Sequence, residues 1–171
     1  MFRKTSFLII ILFFGLTTAF SQVTDLEEKK PFVNNGIEYG YIIKNEQTKN
    51  AKGEDYSRYE ITLYATNKSG CTKLFANRVA ILSSEETNLI VTFNCNNANG
   101  KRLTAKSGSV KARDFYVNAK LTEAGKEITQ SVKAGYIFRN GETLKTNIIV
   151  LVPLGERPVF NCNINSLPEL Q

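Results

Sequence analysis

The sequence has no histidine and no tryptophan, and its single methionine is residue 1. Without imidazole there is no Ser-His-Asp or Cys-His nucleophile system, no histidine-ligated metal and no use of the commonest general base. Cysteine is scarce: Cys71, Cys95 and Cys162 are the only three. They form no CxxC pair, and zinc asks for four closely spaced ligands, so the thiols read as structural. Long apolar runs are also missing after residue 20. The longest, IIVLVPL at 148–154, is far short of the roughly 20 residues needed to span a bilayer as a helix. Phosphate-cradling GxxxxGK[ST] is absent, and no run of alternating carboxylates suits calcium. No cofactor is expected.

What is present begins with an address. Arg3 and Lys4 precede an apolar stretch, Phe7 to Leu16, and then TTAFS, with small residues at alternate positions. This is the three-part pattern of a cleaved secretory leader. Ala19 and Ser21 fit the cleavage site, which makes residues 1–21 the signal peptide and Gln22 the mature start. Export to the periplasm or cell exterior follows, in a form that does not span the membrane. Losing Arg3 and Lys4 lowers the net charge from +6 to +4. That balance is too mild for a nucleic-acid binder.

Residues 22–35 are polar and read as an N-terminal extension. From 36 to 171 the chain alternates with period two, the signature of strands with one buried face. Ile37, Tyr39, Tyr41 and Ile43 alternate with polar residues; so do Tyr59, Ile61, Leu63 and Ala65. Leu89, Val91, Phe93 and Cys95 share one parity, and Val132, Ala134, Tyr136 and Phe138 another. IIVLV at 148–152 is apolar on both parities and reads as a central strand. Apolar parity switches between Val110-Ala112 and Phe115-Val117-Ala119-Leu121, which a bulge near Arg113-Asp114 would produce. Turns are expected at Asn35-Gly36, Asn67 to Gly70, Asn97 to Gly100, Ser107-Gly108, Ala124-Gly125 and Asn140-Gly141. Residues 71–86 read as a strand. The expected fold class is all-β: one antiparallel β-sandwich domain over 36–171.

Two stretches carry a resemblance. YEITLYATNKSG, and AGYIFRNGETLKTNIIVLVPLGERP with its GET turn and VP.GE strand ending, resemble the strands of immunoglobulin-like domains in secreted bacterial proteins. The AFSQ leader ending is similar to exports of the Bacteroidetes. The resemblance implies an immunoglobulin-like sandwich and transfers no catalytic residue.

The tetrapeptide FNCN occurs twice, at 93–96 and 160–163, with unlike flanks. It reads as two strand endings, each with phenylalanine and cysteine toward the core. In an oxidising compartment one disulfide is expected. If 72–82 and 88–95 form a hairpin, Cys71–Cys95 closes it; Cys95–Cys162 would instead pin the last strand to the core. One thiol is left over in either case.

Two features bear on binding. GKRLTAKSGSVKAR places Lys101, Arg102, Lys106, Lys111 and Arg113 together with no acid among them. Such a patch attracts anionic polysaccharide or an acidic cell-envelope protein, or else merely solvates a hairpin and guards its edge. Among seven tyrosines, Tyr39, Tyr41, Tyr59 and Tyr136 hold core parities, whereas Tyr56, Tyr64 and Tyr116 read as exposed. The function expected is a non-catalytic exported binding or structural module. The alternatives are an accessory carbohydrate-binding module acting through the exposed tyrosines, Tyr116 among them, and the basic patch, and a small hydrolase using two carboxylates. The leader is tested by intact mass of protein recovered from its native host. The expected chain begins at Gln22; a chain retaining residues 1–21 overturns the assignment.

Overall fold

A computed structural model describes residues 23–51, 53–76, 88–96, 102–123 and 125–165. All regular structure among them is strand. In chain order the strands are β1 (Val23–Leu26), β2 (Phe32–Asn34), β3 (Ile37–Ala51), β4 (Glu54–Asn67), β5 (Lys73–Ala76), β6 (Leu89–Asn96), β7 (Arg102–Lys111), β8 (Arg113–Glu123), β9 (Lys126–Phe138), β10 (Thr143–Pro153) and β11 (Val159–Ile164). They form three antiparallel sheets, ordered β1-β11-β6-β7, β10-β4-β3-β2 and β5-β9-β8. The all-β, antiparallel expectation therefore holds, and the architecture is compatible with a β-sandwich.

The first two sheets face each other across one core. The alternating apolar residues read from sequence fill it: Tyr39, Tyr41, Tyr59, Ile61, Leu63, Val91 and Phe93 are all buried. On one side the Tyr41 and Phe160 rings meet at 4.7 Å between centroids. On the other, β7 comes close to β10, and Thr146 Oγ1 donates to the Ser109 carbonyl at 2.6 Å. Gly108 makes this approach possible. A Cβ there would run into Leu63 Cδ1 and meet Ile148 Cγ2 at 3.1 Å. Ser107-Gly108 is thus no turn but the interior of β7, where glycine permits close packing of one layer on the next.

Several expectations are corrected. The parity switch near residue 112 is not a bulge. The chain leaves one sheet at Lys111 and enters another at Arg113, with Ala112 buried between them. IIVLV is not a doubly covered strand. It lies in β10, at a sheet edge, with Ile149 and Leu151 outward and Val150 and Val152 inward. The stretch read as an extension contributes β1 and β2, with Leu26 buried, because Val23–Leu26 pairs with the last strand. The turn expected at 97–100 and the chain from 77 to 87 lie outside the described residues.

The two FNCN copies are neighbours. β6 and β11 run antiparallel so that Phe93 faces Cys162, Asn94 faces Asn161, and Cys95 faces Phe160. Three residues of each copy, Phe-Asn-Cys, pair antiparallel with the same three of the other, which puts each cysteine against the other copy's phenylalanine. All four apolar side chains are fully buried, while Asn94 Nδ2 donates to Asn161 Oδ1 at 3.3 Å on the opposite face.

This ladder overturns the disulfide. Cys95 and Cys162 occupy diagonal positions, about 7–8 Å apart between Cα atoms, beyond ordinary bridging distance. Cys71 sits exposed after β4, and β5 pairs with β9 rather than β6, so the described residues of 72–82 do not form the hairpin that would have joined Cys71 to Cys95. None of the three cysteines is in a disulfide.

Where the sheets meet, Asn67 is fully buried. Its Nδ2 donates to the carbonyls of Cys71 and Phe138, both at 2.9 Å. Its Oδ1 accepts from the Ser69 amide at 3.0 Å and the Ser69 hydroxyl at 2.7 Å. Its backbone amide donates to the Glu142 carbonyl at 3.0 Å, and its carbonyl accepts from Gly141 at 2.7 Å. One side chain thereby joins the end of β4, the turn into β5 and the end of β9. Gly141, with φ of 74°, supplies the left-handed turn residue this hairpin needs. The TN.SG and GET motifs are the two halves of this junction.

Two tests follow. Asn67→Ala should lower unfolding free energy by about 3 kcal/mol, since it strips partners from buried groups. Asn67→Asp should cost more at neutral pH, because it turns a carboxylate toward two carbonyl oxygens. Denaturant melts check both, and a change near zero for either removes the junction's importance. The second test concerns Cys162, whose thiol burial raises from 9.0 to about 11. A raised folded-state value means its contribution is intact below pH 9 and lost as pH climbs toward 11. Cys162→Ala should therefore flatten the fall in stability over that window, and Cys71 alone should react with a thiol reagent in the native protein.

Candidate functional site

The third sheet is built differently from the other two. At its base Phe75, Tyr136 and Phe138 are buried in the common core. Beyond Gly135, β8 and β9 continue alone as a two-stranded ribbon. Its last pair is Glu123 with Lys126. Two-stranded ribbons are marginal in water unless something packs on them.

The ribbon has two unlike faces. Paired residues share a face, so Val117 with Val132, Ala119 with Gln130 and Leu121 with Ile128 form one side. The other side carries Tyr116 with Lys133, Asn118 with Ser131, Lys120 with Thr129 and Thr122 with Glu127. Val117, Val132, Leu121 and Ile128 are 37–41% exposed. Toward the base, the same face continues through half-buried Phe115, Ile137 and Leu74. An apolar strip thus runs along the outside of the sheet, on the side turned away from Phe75 and Tyr136. The register shift opposite Phe115 and Tyr116 accounts for it. One extra residue in β9, Ala134, puts Val132 on the face opposite Tyr136, although the two share a parity in sequence.

The polar face is tied together. Lys133 Nζ lies 2.8 Å from Asp114 Oδ1 and 4.5 Å from the Tyr136 ring centroid. The Tyr116 hydroxyl donates to Asp114 Oδ2 at 3.4 Å. The hydrogen bond to Asp114 raises the Lys133 ammonium above its ordinary value, so it stays charged.

The residues singled out in sequence are only partly brought together. Arg102, Lys106 and Lys111 lie along β7, in the first sheet, whereas Arg113 and Tyr116 lie on β8, in the third. Lys101 is outside the described residues. Arg113 is answered by Glu142, with Nε 2.7 Å from Oε1. Of the three tyrosines read as exposed, only Tyr116 is so, at 54%. Tyr56 is half-buried, and so is Tyr64, which lies over Gly40, where a Cβ would come within 2.5 Å of its hydroxyl. Sugar stacking through several tyrosines on one surface is not what this arrangement offers.

A second place was missed in sequence. Glu46, Thr48, Ser57, Tyr59, Leu154 and Glu156 line an open cleft of about 390 Å³. The Tyr59 hydroxyl is 2.7 Å from Glu46 Oε1 and 3.2 Å from the Glu156 carbonyl. Burial first, and then the bond to Glu46, raise this phenol above its usual value. It is a donor committed to Glu46, which suits a structural latch between β3, β4 and the turn after β10. Glu46 and Glu156 lie 110 positions apart and on no common strand, so no local pattern pairs them.

No protein-family model, curated protein or solved structure matches this chain.

Proposed function

We propose that the protein is a non-catalytic binding module, exported by its leader to the periplasm or cell exterior, with an immunoglobulin-like sandwich as scaffold. Its binding element is the β8–β9 ribbon, and its partner is another protein of the cell envelope. The observation that carries this reading is the exposed apolar strip of Val117, Val132, Leu121 and Ile128, backed by a polar face. Contiguous apolar surface on a projecting element is a mark of protein contact. Covering such side chains returns about 25 cal/mol per Å² and steadies an otherwise marginal ribbon.

The test uses neighbours that face opposite ways. A photo-crosslinking residue replaces Leu121 in one exported chain and Thr122 in another. A discrete adduct from position 121, absent from position 122, is the expected result. Equal adducts from both, or none from either, overturn the reading. Glu46→Gln and Glu156→Gln should leave the adduct intact.

A further inference from the structure

β8 is also a sheet edge. It ends the order β5-β9-β8, and no described strand lies on its outer side. Natural edges are blunted by proline, bulges, short length or charged side chains, and of these β8 carries only the charges, Arg113, Asp114, Lys120 and Glu123. This one runs eleven residues from Arg113 to Glu123 and contains no proline. The irregularity at Phe115 and Tyr116 places its extra residue in β9, so β8 itself is unbroken. The other long edges, β7 and β10, are already held against each other through Thr146 and Ser109.

The side of β8 that is free is fixed by the turn. The pair closing a two-residue hairpin exchanges both backbone bonds, and bonded and non-bonded pairs then alternate. Glu123, Leu121, Ala119 and Val117 thus direct their amides to β9. Thr122, Lys120, Asn118, Tyr116 and Asp114 direct theirs outward.

We infer that the edge of β8 joins the same edge of a second copy, antiparallel, with Asn118 opposite Asn118. In that register Tyr116 meets Lys120, Asp114 meets Thr122, Phe115 meets Leu121 and Val117 meets Ala119. Arg113 stands opposite position 123, a glutamate, at both ends. No like charges oppose, apolar positions share one face, and each lysine lies across from a tyrosine ring. Shifting by two residues in partner numbering spoils the match. A centre at Val117 sets Arg113 against Leu121, and one at Ala119 sets Phe115 against Glu123. The centred register uses the whole strand and forms about ten backbone hydrogen bonds. It also places the two bodies at opposite ends, since Arg113 is at the base of the ribbon and Glu123 at its tip. The two apolar strips become one continuous face. This inference rests on the strand edge rather than on the apolar face, so it stands or falls apart from the proposed function.

The test uses the mature chain with Cys71→Ser, to remove the exposed thiol. Sedimentation should show a dimer. Adding Asn118→Cys should give a covalent dimer on mild oxidation, because the two positions face each other at about 5.5 Å between Cα atoms. Lys120→Cys alone should not crosslink, since its neighbour is Tyr116. Asn118→Pro removes only an outward amide and should give a folded monomer with an unchanged β-sheet spectrum. A monomer at every concentration overturns the proposal. So does a dimer that survives Asn118→Pro and crosslinks equally at 118 and 120, which assigns it to another surface. An extended foreign peptide that protects the β8 amides while the chain stays monomeric overturns it as well.

Discussion

Asn67 is the point at which the second and third sheets are joined. A sandwich needs its strands' ends tied where the chain changes layers, and those ends leave backbone groups that water cannot reach. Asn67 offers two donors and one acceptor on a short stem, and all are used on fixed groups: two carbonyls and one serine. Leucine would fill the space and satisfy nothing. Aspartate would fit and repel. The surrounding turn residues are consistent with this role. Ser69 completes the acceptor, Gly141 bends the facing hairpin, and Glu142 uses its second oxygen to accept from the Arg139 amide at 2.9 Å. A motif that reads from sequence as a common turn is therefore the pin between the second sheet and the third.

From this junction the rest is assembled by pairing. The FNCN ladder closes one sheet with a palindrome of chemistry rather than of geometry, large beside small on one face and amide beside amide on the other. A disulfide between its cysteines would have to replace the two contacts with phenylalanine that make the pairing dense. Packing decides the matter against oxidation, even for a chain expected in an oxidising compartment, because the diagonal of an antiparallel pair is too long for the bond. The same economy of close approach explains Gly108, where the absence of a side chain lets Leu63 and Ile148 rest on backbone.

How much of this was legible in the sequence follows from what period two encodes. Alternation names two faces and predicts which residues share them, and Tyr39, Tyr41, Tyr59 and Tyr136 all fell on the buried side. It does not say whether the apolar face meets anything. Ile149 and Leu151 alternate as regularly as Val150 and Val152, yet β10 lies at an edge and shows them to solvent. Nor does it count through a bulge. Val132 and Tyr136 look alike in sequence, and one added residue at Ala134 sends them to opposite sides. The switch at Ala112 was visible as a change of parity, but a bulge and a change of sheet give the same pattern. Long-range partners decide between them.

The ribbon is where these limits meet, and that is why it is informative. In a strand whose only task is to complete a core, the apolar parity faces inward and the polar parity faces water. Here the chain passes through the common core at Ala112, then β8 carries its apolar residues on one face of the ribbon, while Asp114, Tyr116 and Lys133 occupy the other. Folding of the isolated chain gains little from that placement, because exposed valine and leucine on a two-stranded element stabilise nothing within it. A polar pattern on the outside would hold the ribbon equally well through Asp114 and Lys133. The apolar strip is thus not accounted for by the core formed among the described residues. Local pairing is satisfied along β9, the bulge fixes which side the apolar residues take, and among the described residues the outer edge of β8 pairs with no strand while its apolar face stays partly exposed.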